Sequence, residues 1–564
     1  MNPVLEDSRR LTGPNLFWDR PGAIIDISLG DIPPPRVLEL WRNAARRFLD
    51  AVGWARQDIT TRVHDVGASL VLSAPLDALY AATELNEAAW EQCLAELNGE
   101  PGLDFDQQTK RLQALIRDEQ NPRLLNLQAA AQAHGCRFLT DDDEVSIGYG
   151  PGSETFPVTA IPDPASIDWR RISSIPLALV TGTNGKSTSV RLAAAVFAAA
   201  GKTCGVTSTD YIRVGEEIID QGDYSGPGGA RTLLRDHRVE AAVLEVARGG
   251  LLRRGLGVNE ADAVLITNVA ADHLGEYGIN TVPELIEAKF IVRRALRPEQ
   301  PLILNADDSG VVDFACSMDQ RIVWFSEDPS NPVITAHQSV DGEAVVVRDG
   351  HLIWLKGDAA ENLLSVRNIP ITFDGSARHN VQNAMGVAAL CKVLGVSNQA
   401  IISGLKGFSG SPEENPGRGN LFEVQGIRVL VDFAHNEHGM KSVASTLANM
   451  SCKRRLVLMG QAGDRSDELI RDLVRAALKA DPDQLVVCDL PGYERGRQAG
   501  EVAGLIQEFA MEMGMRSNQI IHAAGPAEGT KLALEWARPG DCLLLLTLTE
   551  REASINVVRQ FGTA

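Results

Sequence analysis

Between Ile175 and Arg191 the chain reads IPLALVTGTNGKSTSVR, and the types within it suit one chemistry, the holding of phosphate. Gly182 and Gly185 let the backbone turn tightly, so that the amides of Thr183, Asn184 and their neighbours, with a helix N-terminus behind them, face an anion. Lys186 adds a point charge, Ser187 a hydroxyl for magnesium, and Thr188 continues the helix start. The loop is shorter than the common phosphate-loop pattern, because Val180 stands where that pattern has its first glycine. A glycine-rich strand-to-helix turn can be purely structural, yet Lys-Ser-Thr at the helix start favours nucleotide binding.

Three further apolar runs end in groups that belong beside such a loop. Ala241 to Leu244 ends in Glu245, Ala263 to Thr267 ends in Asn268 followed by Asp272 and His273, and Leu302 to Leu304 ends in Asn305. Carboxylate and imidazole at strand ends are ligands for a magnesium ion held between ATP and an oxygen substrate. Each alone has an ordinary reading, Glu245 as a surface acid and His273 as a helix cap. Lys289, on an amphipathic pattern from Val282 to Leu296, reads alone as a solvated lysine. Asn380 and Asn383 open a helix one turn apart, on one face, suited to capping or to a base edge. Beyond a Pro/Gly-rich hinge, Pro412 to Arg418, a strand from Ile427 ends in Asp432 and leads to His435.

Groups at strand ends need strands that share an edge. From Pro176 to about Gly410 apolar strands alternate with helical patterns, which predicts a parallel sheet covered on both faces, its ligands at the carboxyl ends. Residues 331 to 373 alternate apolar and polar positions around Asp-Gly turns, which predicts an inserted β-meander. A third α/β unit follows the hinge, so the expected site is a cleft closing between two sheets, with Arg418 and His435 arriving from the far side. Residues 1 to 165 carry no phosphate loop. Helical patterns (35–52, 76–97, 106–118, 122–133) and short β-like runs (23–28, 69–73, 144–148) predict a small α+β domain, joined by a proline-bearing linker from Pro151 to Ser173. In it, Tyr80, Glu84, Asn86, Glu87 and Trp90 mix carboxylates and aromatics on one helix, readable as a substrate-docking surface or as helix packing.

The 564 residues suggest about three or four domains. With 44% hydrophobic residues and no apolar run near ~18 residues, the chain reads as soluble and cytoplasmic, without a membrane span. The eight cysteines are scattered singly, which argues against disulfides and cysteine-held metal. A net charge of -20 disfavours nucleic acid and anionic membrane as partners.

TGTNGKST, Glu245, Asn268 with Asp272-His273, Lys289, HNVQN, NPGR and DFAHN resemble, in order and spacing, the Mur ligase family, which includes folylpolyglutamate synthase. The resemblance covers about residues 175 to 564. Through GDYSGPGGAR, VLEVARGGLLRRGLG, NPGRGNLF, AGDRSDE and RGR it is closest to the Mur-like part of the cyanophycin synthetase family, and residues 1 to 165 more faintly resemble that family's amino-terminal domain. It implies a Mur ligase-like α/β fold: an N-terminal α+β domain (1–165), a central P-loop parallel-sheet domain binding ATP (166–411) and a C-terminal Rossmann-like α/β domain (412–564).

The resemblance also implies roles. Gly182 to Thr188 would hold the ATP phosphates; Ser187, Glu245 and His273 would hold Mg2+; Lys289 matches a lysine that is often carbamylated. Asn268 lies with the nucleotide set, Asn380 and Asn383 near adenine, Arg418 on phosphate, Asp432 near ribose and His435 near the phosphates. The catalytic set is Lys186, Glu245, His273, Lys289 and Arg418. The implied activity is an ATP-dependent amide ligase joining an amino acid amine to an acidic peptide or cyanophycin-like substrate. The ATP-grasp module found in the cyanophycin family has no counterpart here. That gap suggests one alternative, a catalytically silent nucleotide-binding partner of a separate ligase; within the ligase reading, a folylpolyglutamate synthase-like ligase is an alternative substrate assignment. A kinase would leave Arg418, Asp432 and His435 without a use. Families of this kind are often oligomeric, and no stretch marks an interface.

Overall fold

The computed structural model describes residues 3 to 65 and 67 to 563. Its largest sheet has eleven strands built outward from Leu177–Thr181, which lies parallel to Ala241–Glu245 on one side and Ala263–Ile266 on the other. All five residues of Leu177–Thr181 are buried, the mark of a strand covered on both faces. Leu177 and Leu179 pack with the helices Pro227–Leu234 and Arg248–Arg254, while Ala178 and Val180 pack with Lys186–Ala199 and Arg378–Val393. The alternation of the strand thus assigns each helix to a face.

The expectation of a parallel sheet holds for the middle of this sheet and fails at its edges. Cys204–Thr207 is parallel, but Tyr211–Val214 and Glu217–Gln221 are antiparallel beyond it. On the other side Leu302–Asn305, Ile322–Ser326 and Glu343–Arg348 run parallel, followed by antiparallel His351–Lys356 and Ala359–Ser365. The meander is therefore no insertion. It extends the central sheet, and the start of its stretch is the helix Pro332–Gln338, capped by Asn331.

A second sheet of six strands follows the hinge, in the order Asn420–Val424, Ile427–Asp432, Cys542–Leu546, Arg455–Met459, Gln484–Cys488, Ile520–Ala523. Only its first pair is antiparallel. It carries its own cores on the two faces.

Two smaller sheets precede them. Val4–Leu11, Gly22–Ser28, Gly67–Ser73 and Ile59–His64 pair antiparallel, with Pro34–Ala51 and Leu79–Asn98 packed on the inner face around Trp41 and Trp90. Trp90 and Asn86 are buried there, Asn86 accepting from Trp41 Nε1 and donating to Leu70 O, so helix packing is the correct reading for that pair. Phe138–Thr140, Glu144–Ile147 and Glu154–Pro157 form the other sheet. The last of these strands lies inside the stretch read as a linker, which is therefore in part a structural strand.

The amino-terminal sheet is seated on the central one at the helix Arg248–Arg254. Thr12 N donates to Arg254 O at 2.8 Å and Leu256 N to Pro14 O at 2.7 Å. A Cβ on Gly13 would stand 2.4 Å from Leu256 O, so this approach requires glycine. Arg62 adds an ion pair to Glu284 at 2.8 Å, and Arg137 one to Asp262 at 2.6 Å. Among the described residues no helix is long and apolar enough to cross a membrane.

Candidate active site

The strand ends of both large sheets open into one cavity of about 550 Å3. The residues assigned to the nucleotide site line it: the whole loop from Gly182 to Thr188, Glu245, Asn268, His273, Lys289, Asn380 and Asn383 from the central sheet, and Arg418, Asp432 and His435 from the far one. Asn305, also read as a strand-end group, does not, being buried with Nδ2 on Thr267 O at 3.1 Å.

The loop is clamped from behind. Thr183 N donates to Asn268 O at 2.8 Å, Asn184 N to Asn268 Oδ1 at 3.1 Å, and Asn268 Nδ2 returns to Asn184 O at 3.1 Å. Thr267 Oγ1 also donates to Asn184 O, at 2.7 Å. Asn268 therefore positions the loop with its whole amide. The glycines are obligatory for two reasons: both have positive φ, and an added Cβ would meet Thr267 Oγ1 at 2.0 Å from Gly182 or Asn383 Oδ1 at 2.2 Å from Gly185. Lys186 Nζ rests on Thr183 O at 3.0 Å.

Beside the loop, Ser187 Oγ meets Thr209 Oγ1 at 3.4 Å, and Thr209 N donates to Glu245 Oε2 at 3.4 Å. Glu245 is 2% exposed, and its Oε1 is buried without a partner. A buried carboxylate oxygen left unpaired is costly, and a hydroxyl with a carboxylate is a donor set that a hard divalent cation accepts, so these residues fit magnesium.

Lys289 is the clearest departure from its reading in isolation. It is 4% exposed, not solvated, and Nζ donates to Gly182 O at 2.8 Å. Burial, with Lys186 and Arg248 nearby, pushes its pKa well below the usual lysine value and favours the neutral amine.

His273 has a positive φ of 50°, a left-handed conformation that costs a non-glycine residue on the order of 1 kcal/mol. One of its ring nitrogens, one of His435's and one carboxylate oxygen of Asp272 all lie within 4.8 Å of one another. Burial alone would raise the pKa of Asp272. The His435 hydrogen bond and the charges of His435, His273 and Lys186 outweigh it and hold the carboxyl well below the usual carboxylate range. Burial, opposed by Asp272 and assisted by Arg465, lowers the His273 pKa.

From the far sheet, Arg418 lies over the Phe433 ring at 4.1 Å, and no side-chain hydrogen bond occupies its guanidinium among the described residues. Asp432 spends both oxygens on backbone amides, of Gly419 and Ala434, each at 2.8 Å, and burial raises its pKa. Asn383 Nδ2 donates to Asn380 Oδ1 at 3.1 Å, and Asn380 Nδ2 to Ile371 O at 2.9 Å. These two amides thus hold each other at the rim of the loop.

Several residues at or beside the cavity were not picked out from the sequence. Arg465 Nη2 reaches His273 Nδ1 at 3.2 Å across the cleft, and Asn184 Nδ2 meets Asn436 Oδ1 at 3.2 Å and His438 Nδ1 at 3.0 Å. His379 is half-buried, with its Nδ1 buried and unpartnered and its pKa pushed down to about 4 by burial. Arg465 lay in plain view in the AGDRSDE block; what the sequence could not give was its neighbour.

A phosphate loop, an unpaired buried carboxylate and a second sheet supplying cations across a cleft define a two-sheet nucleotide-using class of protein. Residues 180–391 match the Mur ligase middle domain and residues 417–547 the Mur ligase glutamate ligase domain, so this part of the chain belongs to the Mur ligase family. The cyanophycin synthetase of Synechocystis sp. is 38% identical over 334 residues, 59% of this chain and 38% of that protein. The chain thus spans well under half the length of the cyanophycin synthetases it matches. The UDP-N-acetylmuramoyl-L-alanyl-D-glutamate--2,6-diaminopimelate ligase of Geobacter metallireducens is 28% identical over 397 residues, 66% of this chain and 73% of that one. A solved structure of E. coli FolC in complex with ADP covers 68% of this chain and 90% of its own, at 19% identity and a TM-score of 0.49. Members of the Mur ligase family are ATP-dependent amide ligases, and both matched domains are of that family.

Proposed function

We propose that the chain joins an amino acid amine to a carboxylate of an acidic peptide or cyanophycin-like substrate, at the expense of ATP, using three domains divided near residues 165 and 411. The observation that carries the reading is convergence. Lys186, Glu245 with its unpartnered Oε1, and Arg418, whose guanidinium has no side-chain hydrogen bond among the described residues, line one cavity of about 550 Å3 from two separate sheets.

Amide formation needs a better leaving group than oxide. In the proposed reaction a substrate carboxylate oxygen attacks the γ-phosphorus and ADP departs; an amine then attacks the acyl carbon, inorganic phosphate departs, and the amine loses a proton. Loop amides and Lys186 stabilise the charge that passes to the β–γ bridge, and Arg418 approaches the transferred phosphoryl group from the far wall. Ser187, Glu245 and His273 would hold magnesium, which when bound neutralises phosphate charge. The neutral amine of Lys289 is the form that takes up carbon dioxide as a carbamate. Closure of the two walls excludes water from the acyl phosphate.

The test is mass spectrometry of products, with ADP release, after incubation with ATP, magnesium, amino acids and short aspartate-containing peptides. A gain of one amino acid less one water, absent in Lys186→Ala, supports the reading. ADP without amide overturns it in favour of phosphorylation alone, and ATP binding with neither product overturns it in favour of a silent partner.

A further inference from the structure

A second cavity, of about 410 Å3, lies where the amino-terminal domain meets the helices Pro227–Leu234 and Arg248–Arg254. Its volume is that of a small-molecule site, typically about 300–1,000 Å3. Most charged groups around it are already spent. Arg10 pairs with Asp142 at 2.8 Å and stacks on Tyr80, whose hydroxyl donates to Asp142 at 3.0 Å. Asp141 pairs with Arg235 at 2.6 Å, and Glu119 accepts from the amides of Tyr80 and Ala81.

Three groups on the cavity wall are not spent. Asp77 is only 6% exposed; one oxygen accepts from Asn121 N at 2.9 Å and the other is buried with no partner. Arg231 donates to Thr12 Oγ1 at 3.2 Å, but its Nε is buried unpartnered and it forms no ion pair among the described residues. Burial, opposed by the charges of Asp141 and Asp142 and assisted by Arg235 and Arg10, lowers its pKa. Arg254 has neither an ion pair nor a side-chain hydrogen bond among the described residues, and it lies at the exposed side of the cavity.

One unpartnered anionic oxygen, the Arg231 guanidinium with its Nε unpartnered and the exposed Arg254 guanidinium are complementary to a ligand with one cationic group and two carboxylates. We propose that this cavity binds an acidic α-amino acid, its ammonium at Asp77 and its carboxylates at Arg231 and Arg254, as a site separate from the nucleotide cleft. The two sites share a wall. The helix Arg248–Arg254 gives Arg248 and Arg253 to the cleft and Arg254 to this cavity, and the segment before Arg231 gives Ser225 to one and Gly228 to the other.

The same chemistry could come from a free amino acid or from the aspartyl N-terminus of a peptide, and calorimetry on the full chain separates them with L-aspartate, L-glutamate and an aspartyl-alanine dipeptide. The tighter of aspartate and dipeptide identifies the source. Against L-aspartate, L-asparagine lacks one carboxylate and succinate lacks the ammonium; each is expected to bind at least tenfold more weakly. Arg254→Gln, at an exposed position, should abolish the aspartate-over-asparagine preference, and the isosteric Asp77→Asn should abolish the aspartate-over-succinate preference, both with ATP affinity unchanged. No binding of any probe at millimolar concentration overturns the proposal. Binding that both variants leave unaltered also overturns it, because the ligand then sits elsewhere. Neither result touches the ligase reading, which stands or falls on product mass.

Discussion

The two walls of the nucleotide cleft are held in different ways. On the central side the loop is bonded to its own domain at almost every residue, through Thr183, Thr267 and both ends of the Asn268 amide. On the far side the contacts that cross the cleft are mostly scattered polar pairs, Asn184 with Asn436 and His438, Arg465 with His273, His435 with Asp272, Arg551 with Asp210 and Asn415 with Arg191 and Thr188, beside one apolar contact in which Phe373 packs against the far core. A wall with bonded supports is set before ligand arrives. A wall attached by scattered polar pairs can leave and return, as a reaction that must admit substrate and then exclude water requires. The difference predicts that mutations on the central wall remove chemistry and nucleotide together, while those at the far wall's crossing contacts, Arg465 and Asn436, remove chemistry and spare the nucleotide, unlike changes at Arg418, Asp432 or His435.

The largest effect is expected at Lys186. Lys186→Ala should lower amide formation about a thousand-fold and weaken ATP binding, measured by product mass and by nucleotide titration. Glu245→Gln keeps the shape and removes the charge of the unpaired oxygen. A fall of about a hundred-fold, with the magnesium concentration for half-maximal rate displaced upward, would mark the residue as a metal ligand; an unchanged magnesium dependence would make it structural. On the far wall, Arg465→Ala should cost roughly tenfold in kcat with ATP affinity kept, since it touches His273 and not the loop. Loss of ATP affinity in that variant would break the contrast between the walls.

How much of this was legible in the sequence follows from how local each feature is. The phosphate loop was readable because its glycines, lysine and hydroxyls are consecutive, and the strand ends because apolar runs stop at polar groups. Lys289 was misread because its helix looks amphipathic, and only the packing of that helix under Gly182 buries the amine. Val4–Leu11 went unseen because half of this edge strand is exposed and its sequence, VLEDSRRL, carries charges where alternation would be sought. The meander strands were placed correctly, but their membership of the central sheet depends on Glu343–Arg348 finding Ile322–Ser326, which no local pattern encodes. Arg465 and His273 are far apart in the chain, so their meeting belongs to the fold alone.

The lock between the walls has a pH signature at Asp210, which pairs with Arg191 and, at 2.9 Å, with Arg551. Burial would raise its pKa, but the charges of Arg191, Arg418 and Arg551 outweigh burial and lower it. A carboxyl whose folded pKa lies below its unfolded value of about 3.9 contributes stability that is complete above that value and is lost as pH falls through the folded one. Asp210→Asn should therefore destabilise the chain by about 3 kcal/mol at pH 7, in line with breaking a buried pair. The gap between variant and parent in denaturant titrations should close as pH drops below about 4. A gap independent of pH would mean that packing, not charge, holds this junction.

The smallest expected effect gives the finest cut between the walls, because Asn436 has two duties. Its side chain caps the helix Glu437–Asn449 by accepting from Gly439 N at 2.8 Å, and it reaches Asn184 in the phosphate loop at 3.2 Å. Serine caps a helix about as well as asparagine but is too short to span the cleft, whereas alanine does neither. Asn436→Ala should cost about 1 kcal/mol of stability, and Asn436→Ser only a few tenths. Both should slow amide formation by the same few-fold factor, because both sever the link from the far wall to the loop. If the serine variant instead matches the parent in rate, the cap is all that Asn436 supplies, and closure of the far wall rests on Arg465, His435 and His438 without it.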